Sequence, residues 1–327
     1  MAKRLYEGRS RWRSSLILVI VVCTCVVAYL CISAILPNSA VPSSQALEAH
    51  VAQSSVAEVG TGCFRGLEHT EFWGDAVNWG SDFLVDSSQA CSDACKAKRK
   101  CNSWVYCGNQ ERCGANYHQC WLKRQKDPLD PEIHDSGLSN PWTSGLVFDK
   151  DIGTVELAID SGPMSGEVIH MKLLPECSPQ SVLRILQLAK LTHCSGCRIY
   201  RAEGRGKMWD SNGSPISKMG TGPPYAVLQG TLEAQHVSFK RVSKEYAPAI
   251  RRGMVGWVDG GPDFFISLAD HPEWPRKHTV FATVVKDDMP LLESLAELPT
   301  TTTTWEKVTV EVLDKPVSVK VQTAKKQ

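Results

Sequence analysis

The longest uniform feature of the chain is apolar. From Ser14 to Leu36 there is no charge, and the 21 residues from Leu16 to Leu36 are almost wholly hydrophobic. About 20 residues of helix cross the hydrocarbon of a bilayer, so the run predicts one transmembrane helix over 14–36. The apolar part of a cleaved signal peptide is shorter, about 7–15 residues. A long peptide cut near Ala40 is the alternative. Residues 37–62 are small and polar and read as a stem. A cysteine-rich stretch covers 63–125, and a segment rich in Pro and Asp, 126–150, reads as a linker.

Beyond it the pattern becomes regular. Gly153–Asp160 and Gly166–Lys172 alternate with the two-residue period of half-buried strands. Ser178-Pro179 opens an amphipathic helix to about Lys190, with serine as N-cap and proline in the first helical position. Further strands are predicted at 197–201, 225–230, 253–258, 263–268 and 278–285. A short helix follows at 289–297 and a last strand at Glu306–Leu313. Thr300–Thr304 reads as a solvated loop and 316–327 as a tail. Many strands with only two helices indicate a closed or sandwich-like β architecture, because alternating β and α units would be needed for a parallel sheet.

Charge and cysteine change the picture next. Lys3, Arg4, Arg9, Arg11 and Arg13 stand before the apolar run against Glu7 alone. The positive-inside rule then keeps 1–13 cytosolic and translocates everything after Leu36, a type II anchor in the endomembrane system (Golgi or ER), with the plasma membrane as the other destination. Of 13 cysteines, seven crowd into the 58 residues from Cys63 to Cys120. In an oxidising compartment these are disulfides rather than a zinc site, and the paired spacings of zinc ribbons are missing. A net charge of +1 gives no broad basic field, which argues against nucleic acid as a partner.

Within the cysteine-rich segment, Ser87-Ser88-Gln89-Ala-Cys-Ser-Asp-Ala-Cys reads as a capped helix. Its Cys91 and Cys95 lie one turn apart on one side. The strand-like Cys101-Asn-Ser-Trp-Val-Tyr and Gln119-Cys-Trp-Leu-Lys follow. The arrangement resembles the PAN/apple module, a small disulfide-rich α+β fold. That resemblance implies Cys91–Cys120 and Cys95–Cys101 bonds. Cys107 and Cys113 would close a small hairpin, leaving Cys63 with Cys177 of the next segment as its candidate partner. Modules of this kind bind proteins or carbohydrates, so glycans or glycoproteins are candidate partners. Trp73, Trp79 and Trp104 are either sugar-stacking or core.

Residues 151–315 resemble a cyclophilin, a closed β-barrel with two helices. Ile199-Tyr-Arg201, Pro224-Tyr-Ala-Val-Leu-Gln-Gly230, Gly253-Met-Val-Gly256, Phe264-Phe-Ile-Ser267 and Lys277-His-Thr-Val-Phe281 carry the likeness. The family catalyses cis–trans isomerisation of X–Pro bonds without metal or cofactor. The resemblance makes Arg201 the catalytic cation on the floor of a small barrel, Gln229 the holder of substrate backbone, Phe265 the floor of the proline pocket and His278 its rim. Some positions depart from the family. Ala226-Val227 replaces an aromatic wall, and the loop Trp257-Val-Asp-Gly-Gly-Pro-Asp263 is shortened, with Trp257 refilling part of the space. Trp274 lies one residue nearer His278. Weak or specialised activity on proline-containing proteins of the secretory pathway is therefore expected. The alternative is a non-catalytic adaptor binding extended peptides and protein or sugar ligands.

Two smaller signals remain. Asn212-Gly-Ser214 is an N-glycosylation sequon in a predicted loop. Cys194-Ser-Gly-Cys197 has redox spacing but leads into a strand, so a local disulfide is the simpler reading. The short tail, anchor and stem also suit a glycosyltransferase, but no Asp-x-Asp or nucleotide-binding motif accompanies them.

Overall fold

A computed structural model describes residues 63–149, 153–216, 222–235 and 237–324, all within one unit, Gly62–Gln327. The expected cytosolic tail, transmembrane span and stem lie outside the described residues. Among the described residues no helix is long and apolar enough to cross a membrane.

The cysteine-rich module comprises β1 (Leu67–Glu68), β2 (Thr70–Phe72), β3 (Asp75–Asn78), α1 (Ser88–Ala97), β4 (Ser103–Tyr106), α2 (Gln110–Cys113), β5 (Cys120–Arg124), β6 (Ile133–Ser136) and β7 (Thr143–Leu146). Five strands form an antiparallel sheet in the order β1-β7-β4-β5-β3, while β2 pairs with β6. Ser87 caps α1 by accepting the Ala90 amide at 3.1 Å. One turn of helix then turns Cys91 and Cys95 together toward the sheet, where they bond Cys120 and Cys101. Cys107 bonds Cys113 across the turn into α2, not across a hairpin.

Residues 126–150 are not merely a linker. Their Thr-Ser-Gly-Leu strand β7 lies between β1 and β4, against the indole of Trp104. Gly145 is required there, because a Cβ would come within 2.5 Å of that ring. With glycine at the packed position, no hydrophobic alternation marks the strand in sequence. Trp104 itself is buried, whereas Trp73 and Trp79 are 54% and 61% exposed.

The second module runs β8 (Thr154–Ile159), β9 (Val168–Leu173), α3 (Pro179–Ala189), β10 (Arg198–Glu203), β11 (Val227–Thr231), β12 (Met254–Trp257), β13 (Asp263–Ser267), β14 (Val280–Val284), α4 (Met289–Leu295), β15 (Thr300–Trp305) and β16 (Val308–Thr323). The order β10-β11-β13-β12-β14-β9-β8-β16 closes through a β10–β16 pairing into an eight-stranded barrel. Alternate residues point inward, among them Leu157, Ile169, Ile199, Leu228, Val255, Phe264, Ile266 and Phe281, and fill the interior.

Two expectations are corrected here. The described part of the expected tail, 316–324, is not free, since β16 continues to Thr323 and pairs with β8. Val317, Val319 and Val321 alternate into the core between exposed or half-buried partners. Thr300–Thr304 is not a solvated loop but most of β15. Its β-branched residues suit a strand, and Thr300 and Thr302 donate across it to Glu311.

The α3 cap also differs from expectation. The Ser178 hydroxyl donates to the Val280 carbonyl instead of capping. The cap comes from a distant loop, where Glu245 accepts the amides of Gln180 and Ser181 at 2.9 and 3.0 Å and the Ser181 hydroxyl at 2.5 Å. A carboxylate at a helix N-terminus satisfies orphan donors and complements the dipole. Glu245→Ala is expected to cost about 1–2 kcal/mol of stability, read from chemical denaturation. An unchanged midpoint would remove this cap from the account.

The modules are joined. Cys63 bonds Cys177, and Leu67, Phe72 and Leu146 of the first module pack with Val182 and Leu183 of α3 in one continuous core. Lys96 pairs with Glu176 at 2.7 Å across the same seam.

Candidate functional site

Strand register assembles the site. Arg201 on β10 faces Gln229 on β11, which faces Phe265 on β13. Paired residues of antiparallel strands project to the same side of the sheet, so three residues distant in sequence form one row. The row lies on the outer face of the barrel, not at its floor, because the interior is packed with apolar side chains.

Arg201 is held closely. Its Nε donates to Glu203 Oε1 at 2.7 Å and one Nη1 hydrogen to Gln229 Oε1 at 3.0 Å. Its Cζ lies 4.9 Å from the ring centre of Tyr225 and 5.6 Å from that of Trp305. The side chain is only 12% exposed, and that of Glu203 is fully buried. Glu203 also accepts the amides of Tyr225 and Glu311. Nη2 has no hydrogen-bond partner among the described residues, so that edge of the fork is left to donate.

Gln229 is occupied at both ends, since its Nε2 donates to the Tyr200 hydroxyl at 2.8 Å. That phenol is pushed up to about 12, chiefly by burial and then by the neighbouring Asp263 carboxylate. Phe265 is just 3% exposed, in a cluster with Val227, Ile250, Met254 and Val280. Gly256 opposite it has no side chain, and a Cβ there would lie 2.8 Å from the ring. Trp274 and His278 meet Phe265 edge-on at 5.8 and 5.4 Å. Trp274 thus packs on Phe265 despite its altered spacing. His278 uses its Nδ1–H toward the Trp257 carbonyl at 3.3 Å.

Trp257 does not refill the expected pocket. Its indole is buried inside the barrel, 4.4 Å from Phe281 and 5.5 Å from Phe239. Its neighbour in the strand, Gly256, pairs with Phe265 on the outer face, and alternation sends the next side chain inward. Asn212 is exposed, with its amide donating to Asp210. Cys194 and Cys197 are bonded to each other. Sequence reasoning missed Glu203, Tyr200, Tyr225 and Trp305 as contributors. Glu203 had a signal, because it sits two residues beyond Arg201 on the same strand. Trp305 had none, since it lies between the Thr300–Thr304 run read as loop and the strand expected from Glu306.

Burial holds the His278 and His271 pKa values below the ordinary histidine value of 6.5. The folded state therefore favours neutral imidazole, and the unfolded chain binds protons first as pH falls. The stability contribution is complete above pH 6.5 and is lost progressively below it. Thermal midpoints should fall from about pH 7 to about pH 5, and His271→Gln should flatten that slope. An unchanged slope in the variant would assign the dependence to other groups.

Two family models match parts of the chain. A PAN domain model matches residues 70–123. The model for the cyclophilin type peptidyl-prolyl cis-trans isomerase/CLD family matches 154–317, just over half of the 327 residues. The chain belongs to the cyclophilin family. Among solved structures, a Cryptosporidium parvum cyclophilin type peptidyl-prolyl cis-trans isomerase, crystallised in the presence of the dipeptide Ala-Pro, is 14% identical, with a TM-score of 0.37. The alignment covers 53% of this chain and 99% of that one. The Mimivirus cyclophilin is 12% identical, with a TM-score of 0.34, covering 54% and 93%. Comparison with curated protein sequences gave no match. The row Arg201–Gln229–Phe265 lies wholly within the segment matched by the cyclophilin model.

Proposed function

We propose that this chain is a prolyl isomerase of narrow specificity, with Arg201 as the group that acts on the imide. An X–Pro bond resists rotation because amide resonance gives it a barrier of about 18–20 kcal/mol. As the bond twists, resonance is lost and the imide nitrogen pyramidalises and gains a lone pair. A fixed cationic donor binds that nitrogen better in the twisted state than in the planar one, which is the condition for catalysis. The observation that carries the reading is the Arg201 guanidinium, fixed through Nε and Nη1 with Nη2 left over, one strand pairing away from Gln229 and two from Phe265.

The narrow specificity rests on the surround. Phe265 is nearly covered, so a proline ring enters only where Trp274 and His278 yield. Binding substrate backbone through Gln229 requires exchange of its bond to Tyr200. These two features equally support the second reading, a binding module that engages extended proline-containing chains without turning them over. The full chain, assayed by NMR exchange or protease coupling on a panel of X–Pro peptides, decides between them. Turnover of at least one peptide is the expected result. Saturable binding without turnover would replace the first reading by the second.

We place the activity in the secretory pathway, on a type II anchor formed by 14–36 with the C-terminal modules luminal. The uncharged run, the basic residues before it and the paired cysteines support that location. Occupancy of the exposed Asn212 sequon by glycan accompanies this reading, as does a protein or sugar ligand for the PAN module. Endoglycosidase sensitivity of the expressed full chain tests the location. An unglycosylated, cytosolically exposed C-terminus would sink it.

A further inference from the structure

The β15–β16 hairpin brings one residue onto the arginine that the family resemblance does not assign. Arg201 pairs with Val312 of β16, and Val312 with Thr301 of β15. The hairpin therefore flanks the arginine on the side away from Phe265. Thr301, Thr303 and Trp305 alternate onto the face shared with Val312 and Arg201. Trp305 stands at the hairpin tip, opposite Val308, and is 37% exposed. An indole in that place contributes little to the core, yet it lies 5.6 Å from the guanidinium carbon and 6.0 Å from the ring of Tyr200.

Two in-plane hydrogen bonds leave a guanidinium one soft motion. Nε to Glu203 and Nη1 to Gln229 define a line, and the plane can still tilt about it. Rings packed on the guanidinium remove that tilt. Direction matters because a hydrogen bond weakens steeply as its angle falls toward about 120°.

We propose that Trp305 is a positioning residue that fixes the tilt of the Arg201 plane, and so the direction of its free Nη2 edge, through the ring–cation contact. The role rests on Arg201 being the acting donor, but the positioning itself is a property of the unliganded protein. The test uses the full chain with isotope-labelled arginine, the Arg201 side-chain NMR signals being identified by their loss in Arg201→Lys. Trp305→Phe should keep the restricted signals of the parent. Trp305→Leu, which retains apolar bulk but no ring, should average them. In parallel, Trp305→Leu should lower kcat by about two- to fivefold with KM nearly unchanged, and Trp305→Phe should restore it. Parent-like arginine signals in Trp305→Leu would overturn the proposal whatever the activity. Averaged signals in a chain whose parent turns over no peptide would uphold the positioning and sink the isomerase reading instead.

Discussion

Arg201→Ala is expected to lower kcat/KM for X–Pro isomerisation by about a hundredfold or more, the scale seen when a single preorganised donor is removed from a developing charge. The same change should also cost stability, for a stated reason. Glu203 is fully buried and has Arg201 as its ion-pair partner. Removing the cation leaves a buried carboxylate with, among the described residues, only the Tyr225 and Glu311 amides as donors. Breaking one side of a buried pair costs roughly 3–5 kcal/mol. Loss of activity in the alanine variant alone could therefore be loss of fold. Arg201→Lys separates the two, because it keeps a positive charge beside Glu203 but not the planar fork that reaches Glu203, Gln229 and substrate together. Its thermal midpoint should stay near the parent while kcat/KM falls at least tenfold. Undiminished turnover in a folded Arg201→Lys or Arg201→Ala protein would remove the arginine from the mechanism.

How far the sequence disclosed this arrangement depends on which physical signal each part leaves. The barrel strands were legible because one face of each is buried, so Thr154–Ile159 and Val168–Leu173 alternate visibly. Helix α3 was legible from its amphipathic run and its proline, although the group capping it, Glu245, lies 64 and 65 residues away from the amides it accepts and no local pattern could reveal it. β7 escaped notice because a glycine and two small polar residues precede its one large apolar residue. Strand β15 did so because five threonines look equally like loop and edge strand. Arg201, Gln229, Phe265 and His278 were named through family stretches, and register places the first three in one row. Of the residues that hold the arginine, only Glu203 left a local signal, by its place two residues along the same strand. Glu203, Tyr225 and Trp305 act through a β-bulge at Ile199–Arg201 and a hairpin pairing, which are properties of the assembled sheet.

Trp257→Ala should be among the most destabilising single changes in the barrel, by about 3–5 kcal/mol in chemical denaturation. The indole is completely buried between Phe281 and Phe239, so truncation opens a cavity that rigid strand backbone cannot collapse to fill. Trp257→Phe should behave differently. It keeps most of the volume, and because the indole Nε1 has no hydrogen-bond partner among the described residues, it breaks no bond. The expected loss is about 1 kcal/mol, with KM for peptide unchanged. The residue still influences the site, but through its main chain. Its amide donates to Thr279 and its carbonyl accepts His278 Nδ1–H, and neither depends on the side chain as long as the strand stays in place. A side chain that walled the pocket would give the reverse result, with KM shifting in Trp257→Phe and stability nearly intact. The two measurements on one conservative variant thus separate a core residue that supports the rim from a rim residue.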